Sequence, residues 1–120
     1  ITQALSSKPI TVYGDGTQTR SFCYITDQVE GLMKLLLAPN LDGQVINIGN
    51  TEEVTVLELA KRIINLTNTP SPIEFHPPQQ DDPRRRRPDM TKAKKLLNFT
   101  SRINLDEGLA RTIEWFRSMS

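Results

Sequence analysis

The sequence predicts an α/β fold of few short strands and about four helices. Three observations carry this expectation: apolar residues recur at helical spacing in several stretches, short β-branched and aromatic runs fall between them, and capping-box spacings open the helical stretches. Three or four short strands are fewer than a free-standing doubly wound sheet needs. Some apolar faces are therefore expected to meet a further part of the protein or a second copy of the chain.

Residues 1–5 read as helix, but no Met and no capping residue precede them. The expectation drawn from this is that the 120 residues are a segment of a longer protein. Residues 10–13 and 21–25 then form two strand-like runs around Gly14-Asp15-Gly16, whose glycines take positive φ without steric cost. The spacing predicts a hairpin-like element. Gln18 and Arg20, two residues apart, would share one face of an extended segment. Arg20 offers a planar fork of donors for phosphate or carboxylate, and Gln18 offers a donor and an acceptor for a hydroxyl or a base edge. A plain surface hairpin with a solvated arginine fits the same residues.

A helix is predicted from Thr26 or Asp27, with Asp27 and Glu30 at capping-box spacing and Val29, Leu32, Met33 and Leu36 as its apolar stripe. Pro39 ends it. Residues 44–48, Gln-Val-Ile-Asn-Ile between Gly43 and Gly49, read as a short interior strand. Thr55 and Glu58 open the next helix, which buries Leu57, Ala60, Ile63 and Ile64. Prolines 70 and 72 break the pattern, residues 73–75 suggest a strand, and Pro77-Pro78 forces an extended connection. A short basic helix follows over 91–97. The last helix starts at Leu105 behind an Asn104 cap, with Leu109, Ile113 and Phe116 on its buried face and Trp115 as packing. No internal repeat or second domain is visible.

Composition narrows the function classes. A net charge of +1 demands neither a nucleic-acid nor a membrane partner, and no apolar run approaches the roughly 20 residues that span a bilayer. One cysteine, Cys23, cannot make an intrachain disulfide; it fits a reducing, cytoplasmic setting and reads as a packed thiol. His76 is the only histidine, so no histidine pair exists for a metal and none is expected. The run Asp81-Asp82-Pro83-Arg84-Arg85-Arg86-Arg87-Pro88-Asp89 should be exposed and non-helical. It suits either a solvated charge run or an arginine clamp on a small phosphorylated ligand. Its flanking acids and lack of interleaved aromatics argue against nucleic acid.

Taken together, residues 11–22 (Thr-Val-Tyr-Gly-Asp-Gly-Thr-Gln-Thr-Arg-Ser-Phe), Asn47-Ile-Gly-Asn50 before 55–60, Asp81-Asp-Pro83 with Arg86 and Pro88-Asp89, and 105–109 before Trp115 carry a resemblance. The chain resembles the C-terminal, substrate-binding portion of an extended Rossmann-type short-chain dehydrogenase/reductase acting on nucleotide sugars, and within that group the UDP-glucuronate decarboxylases. The resemblance covers essentially the whole chain. It implies an enzyme that uses NAD to oxidise the sugar 4-hydroxyl, loses the carboxylate as CO2 from the resulting β-keto acid, and returns the hydride to give UDP-xylose. Dehydratases and 4-epimerases are sister activities, and a stand-alone nucleotide-sugar-binding module is the non-catalytic alternative.

The same resemblance places the glycine-rich NAD fingerprint and the Tyr-x-x-x-Lys pair in a preceding half, since neither motif occurs here. No catalytic or NAD-binding residue is therefore expected in residues 1–120. What it implies for this segment is substrate holding. Val12 and Tyr13 would line the nucleotide pocket and Gln18 would sit near the nucleotide or sugar. Arg20 would face the diphosphate or sugar acid, Arg86 would be a second clamp on the diphosphate, and Asp82 would accept from ribose hydroxyls. Arg84, Arg85 and Arg87 match no required position and are expected to be solvated. Two positions depart from the pattern: Gln79 stands where some sister families carry Arg, and Asn98-Phe99 replaces Gly-Trp. A homodimer of the longer protein is also implied.

Overall fold

A computed structural model describes residues 1–119. The elements, in order, are α1 (Thr2–Leu5), β1 (Ile10–Tyr13), β2 (Thr19–Ser21), α2 (Ile25–Leu37), β3 (Glu53–Thr55), α3 (Val56–Thr67), β4 (Ile73–His76), α4 (Thr91–Leu97) and α5 (Leu105–Ser118). The strands form two separate pairs, so the α/β expectation holds with very little sheet.

The expected hairpin does not form. β1 runs parallel to β4, with Ile10 opposite Ile73 and Tyr13 opposite His76. β2 instead pairs antiparallel with β3, Thr19 opposite Thr55 and Ser21 opposite Glu53. The glycine turn is what separates them. Gly14 and Gly16 both have positive φ, +71° and +79°. The Gly14 N–H is held by the His76 carbonyl at 2.8 Å, while the Gly16 carbonyl accepts from Leu57 N–H at 3.0 Å. The chain therefore leaves β4 and is handed to the start of α3. A Cβ on Gly16 would lie 2.8 Å from that of Leu57, so the close approach needs glycine.

α3 and α5 are capped as the sequence predicts. Thr55 Oγ1 accepts from Glu58 N–H at 3.0 Å, and Asn104 Oδ1 from Glu107 N–H at 2.9 Å. α2 differs on two counts. It starts one residue before the earliest expected start, without a side-chain cap, and Asp27 is buried and committed elsewhere. Its expected apolar stripe faces outward: Val29, Leu32 and Met33 are half exposed and Leu36 is 76 % exposed. The opposite face, with Gly31 and Leu35, meets Ile48 and the Ala93–Leu97–Phe99 cluster instead. Segment 44–48, expected as a strand, forms none and pairs with no strand among the described residues. A run this apolar reads as interior strand, and Ile46 and Ile48 do pack on the Ala93–Leu97–Phe99 cluster, but no strand among the described residues lies beside it.

Two cores result. Ala4, Ile10, Val12, Ala60 and Ile63 join β1 to α1 and α3, with Leu109 of α5 packed on them. Ala93, Leu97 and Phe99 join α4 to α2 through Leu35 and Ala38. β1, β2 and the α3 N-terminus thereby form a rigid floor, across which residues 79–88 are laid.

Candidate functional site

Residues 79–88 form a strap fastened along β2. Its backbone is held by Thr19 N–H, which donates to the Arg84 carbonyl at 2.6 Å, and by the Ser21 hydroxyl, which reaches the Arg86 carbonyl at 3.5 Å. Arg20 is the main fastener. Its Nη1 donates to the carbonyls of Pro83 (2.7 Å) and Thr19 (2.6 Å), and its Nη2 to the Asp82 carboxylate. The strap arginines divide by partner. Arg84 donates to Thr17 Oγ1 at 3.2 Å, and Arg85 to Glu53 Oε2 at 2.9 Å. The Arg86 side chain is exposed and has no bonded partner among the described residues.

Cavities lie on both sides of the strap. One of about 740 Å³ is lined by Gly14, Asp15, Thr17 and Gln18 from the glycine turn, Phe75 and His76 from β4, and Pro78, Gln79, Asp82 and Arg84 from the strap and its approach. Another of about 740 Å³ lies beyond Arg87 and Pro88, between Asn50 and Thr51 and the Lys94 and Phe99 side. Arg86 lines neither and sits in sequence between the two. The first cavity combines apolar side chains, the Gln18 and Gln79 amides and the Arg84 cation, the mixture that small polar ligands use. Asp15 holds the turn beside it: its carboxylate accepts from Thr17 Oγ1 at 2.6 Å and Thr17 N–H at 3.0 Å. The hydroxyl bond first, then the amide bond, keeps the Asp15 pKa below the ordinary carboxylate value. Asp89 repeats the arrangement with Thr91 at the strap's other end, with the same downward direction and the same leading cause.

The expected site residues scatter around this region. Gln18 lines the first cavity, and its Nε2 donates back to the Tyr13 carbonyl at 2.9 Å. That leaves its amide oxygen unused. Tyr13 is partly exposed and stands edge-on to His76, ring centroids 6.1 Å apart. Val12 is 1 % exposed, a core residue that lines none of these cavities and whose contacts shape the floor beneath Gly16. Arg20 and Asp82 are brought together as a pair, Arg86 is left outward, and Arg20 and Gln18 bond to different partners. Arg84 and Arg85, expected to be solvated, hold Thr17 and Glu53. Neither contact has a local signal: both partners are more than 30 positions away, and Glu53 is placed only by the pairing of β3 with β2. Cys23 lies in a third, apolar cavity of about 720 Å³ with Tyr24, Leu105 and Trp115; burial first, and Asp27 second, push its thiol pKa up. That environment disfavours a thiolate nucleophile.

The glycine turn does not suit a dinucleotide: Gly14-Asp15-Gly16 follows a strand but leads to β2, not to a helix N-terminus. Among the described residues no group of three or more His, Cys, Asp and Glu could hold a metal ion, and no helix is long and apolar enough to cross a membrane.

Known proteins similar to this chain agree with one another. UDP-glucuronic acid decarboxylase 1 of Danio rerio is 49% identical over 116 residues, covering 97% of this chain and 27% of that protein. UDP-glucuronic acid decarboxylase 2 of Arabidopsis thaliana is 45% identical over 117 residues, 98% of this chain and 26% of that protein. The chain thus spans about a quarter of the length of these relatives. Among solved structures, the UDP-glucuronic acid 4-epimerase of Bacillus cereus in complex with UDP-glucuronic acid and NAD superposes with a TM-score of 0.92 at 31% identity, over 98% of this chain and 38% of that one. MoeE5 in complex with UDP-glucuronic acid and NAD gives a TM-score of 0.92 at 34% identity, over 98% and 40%. The family model described as GDP-mannose 4,6 dehydratase matches residues 1–112. By that match over nearly its whole length, the chain belongs to the GDP-mannose 4,6 dehydratase family of Rossmann-type nucleotide-sugar epimerases and dehydratases.

Proposed function

We propose that this chain is the nucleotide-sugar-binding part of an NAD-dependent UDP-glucuronate decarboxylase, with the NAD-binding and catalytic residues in a preceding part of the same protein. The observation that carries the reading is the 45–49% identity to UDP-glucuronic acid decarboxylases over nearly all of this chain. The strap supports it, because a diphosphate and a sugar carboxylate both call for arginine forks set on a rigid floor. In this reading Gln18 and Tyr13 face the nucleotide, Val12 shapes the floor behind them, and Arg20 and Arg86 meet the anionic part of the ligand. NAD, when bound, accepts and returns the hydride; this chain's residues orient the sugar for it. The outward α2 stripe and unpaired segment 44–48 are where the rest of the protein docks, and a dimer of the whole protein is expected.

The test uses the full-length protein. Incubation with UDP-glucuronate should give UDP-xylose and CO2, and Arg86→Ala should weaken UDP binding at least tenfold, a loss of about 1.4 kcal/mol. Unchanged affinity would remove the arginine clamp from the reading. A second reading, a 4-epimerase, is favoured by the fold likeness to UDP-glucuronic acid 4-epimerase. Conversion of UDP-glucuronate to UDP-galacturonate without CO2 release would select it.

A further inference from the structure

Asp82 was expected to accept from ribose hydroxyls, yet its carboxylate is bonded to the Arg20 guanidinium. The pair is a partly sheltered one, the side chains being 17% and 28% exposed, so it is less screened than a surface ion pair. Arg20 spends Nη1 on the carbonyls of Pro83 and Thr19 and one Nη2 donor on Asp82. Of its five donors, Nε–H and the second Nη2–H remain. The three bonds made by Nη1 and Nη2 fix the plane in which these two remaining donors lie. An unpaired carboxylate here would repel a diphosphate; paired with Arg20 through Oδ1, its charge is largely neutralised. The same bond fixes the strap, because Asp82, Pro83 and Arg84 are consecutive anchors on Arg20 and Thr19.

We propose that Asp82 is a positioning residue, not a ligand contact: by clasping Arg20 it sets the guanidinium that meets the anionic ligand and holds the arginine strap on β2. This rests on the nucleotide-sugar reading above. It differs from a ribose contact in one measurable way: the effect of Asp82 must pass through Arg20.

The experiment is a double-mutant cycle on UDP binding in the full-length protein, read by calorimetry. Asp82→Ala is expected to weaken UDP about tenfold in the wild-type background and less than twofold in the Arg20→Ala background. Asp82→Asn, whose amide oxygen can still accept from Arg20, should recover most of the loss. 2′-Deoxy-UDP should lose affinity by the same factor as UDP. Equal losses in both backgrounds, no loss at all, or a 2′-deoxy-UDP affinity indifferent to Asp82→Ala would overturn the proposal. If UDP does not bind the full-length protein, the nucleotide-sugar reading fails instead. The clasp is then decided by hydrogen exchange at the Thr19 amide. At least tenfold faster exchange in Asp82→Ala upholds the clasp, and unchanged exchange overturns it.

Discussion

Asp27 and Ile103 are joined by a hydrogen bond of 2.9 Å from the Ile103 backbone N–H to Asp27 Oδ2, across 76 positions of sequence. The same oxygen accepts from Arg102 N–H at 3.0 Å, and Asp27 is only 3 % exposed. One buried carboxylate thus ties α2 to the segment that leads into α5. Bonds to an ionised acceptor contribute about 1.5–3 kcal/mol each, and two N–H groups would be left without a partner. Asp27→Ala should lower unfolding free energy by about 3 kcal/mol in denaturant titration. Asp27→Asn keeps one oxygen for both donors and should lose about 1 kcal/mol.

Gly16 and Gly43 separate two costs that usually travel together. Both have positive φ, +79° and +76°, but an added Cβ meets Leu57 and Val12 at Gly16 and nothing within 4 Å at Gly43. Gly43→Ala should therefore cost about 1 kcal/mol, the conformational term alone. Gly16→Ala should cost about 2 kcal/mol or more, since Leu57 and Val12 are held by the core around β1 and α3. Equal shifts in thermal midpoint for the two variants would show that the floor gives way more easily than its packing implies.

What the sequence made legible was local chemistry. Thr55 and Asn104 cap their helices because the capping bond spans three residues and needs nothing else. Residues 10–13 are a strand, but their partner is β4, some 60 positions on, and no pattern within 10–25 could distinguish that from a hairpin. Asp27 shows the same limit: its spacing to Glu30 fits a capping box, while its actual donors lie beyond position 100. Around the candidate site, residue type and motif single out Arg20, Asp82 and Arg86 as expected ligand contacts. Which of them would be paired and which left outward depended on how the strap lies over β2, which is a tertiary fact.

Asp15 and Asp89 give a pH prediction at the edges of the site. Each carboxylate accepts from a threonine hydroxyl two residues on, and each pKa is lowered from 3.8 chiefly by that bond. A depressed folded value means the stabilising contribution is present above the unfolded pKa and is lost as pH falls through the folded one. Carboxyl-carbon NMR titration should place both midpoints below the unperturbed value. Thr17→Val and Thr91→Val remove the hydroxyl donor but keep the amide, so each should move its own aspartate upward and leave the other unchanged.

The α2 stripe gives a prediction about the chain by itself. Leu36 and Leu37 are 76% and 73% exposed, with Val29, Leu32 and Met33 about half exposed beside them, while Leu35 and Ala38 pack inward. A helix apolar on both faces is built to be covered on both. A contiguous apolar patch of this kind promotes association when nothing covers it. The isolated 120-residue chain should bind a hydrophobic dye and sediment with a concentration-dependent mass. Leu32→Glu with Leu36→Glu should suppress both effects in the isolated chain. In the full-length protein the same pair should lower stability by several kcal/mol, because two carboxylates would then be buried against the docked part. An isolated chain that stays monomeric and dark with the dye, together with a full-length protein indifferent to the two substitutions, would mean that α2 faces solvent in the whole molecule as well.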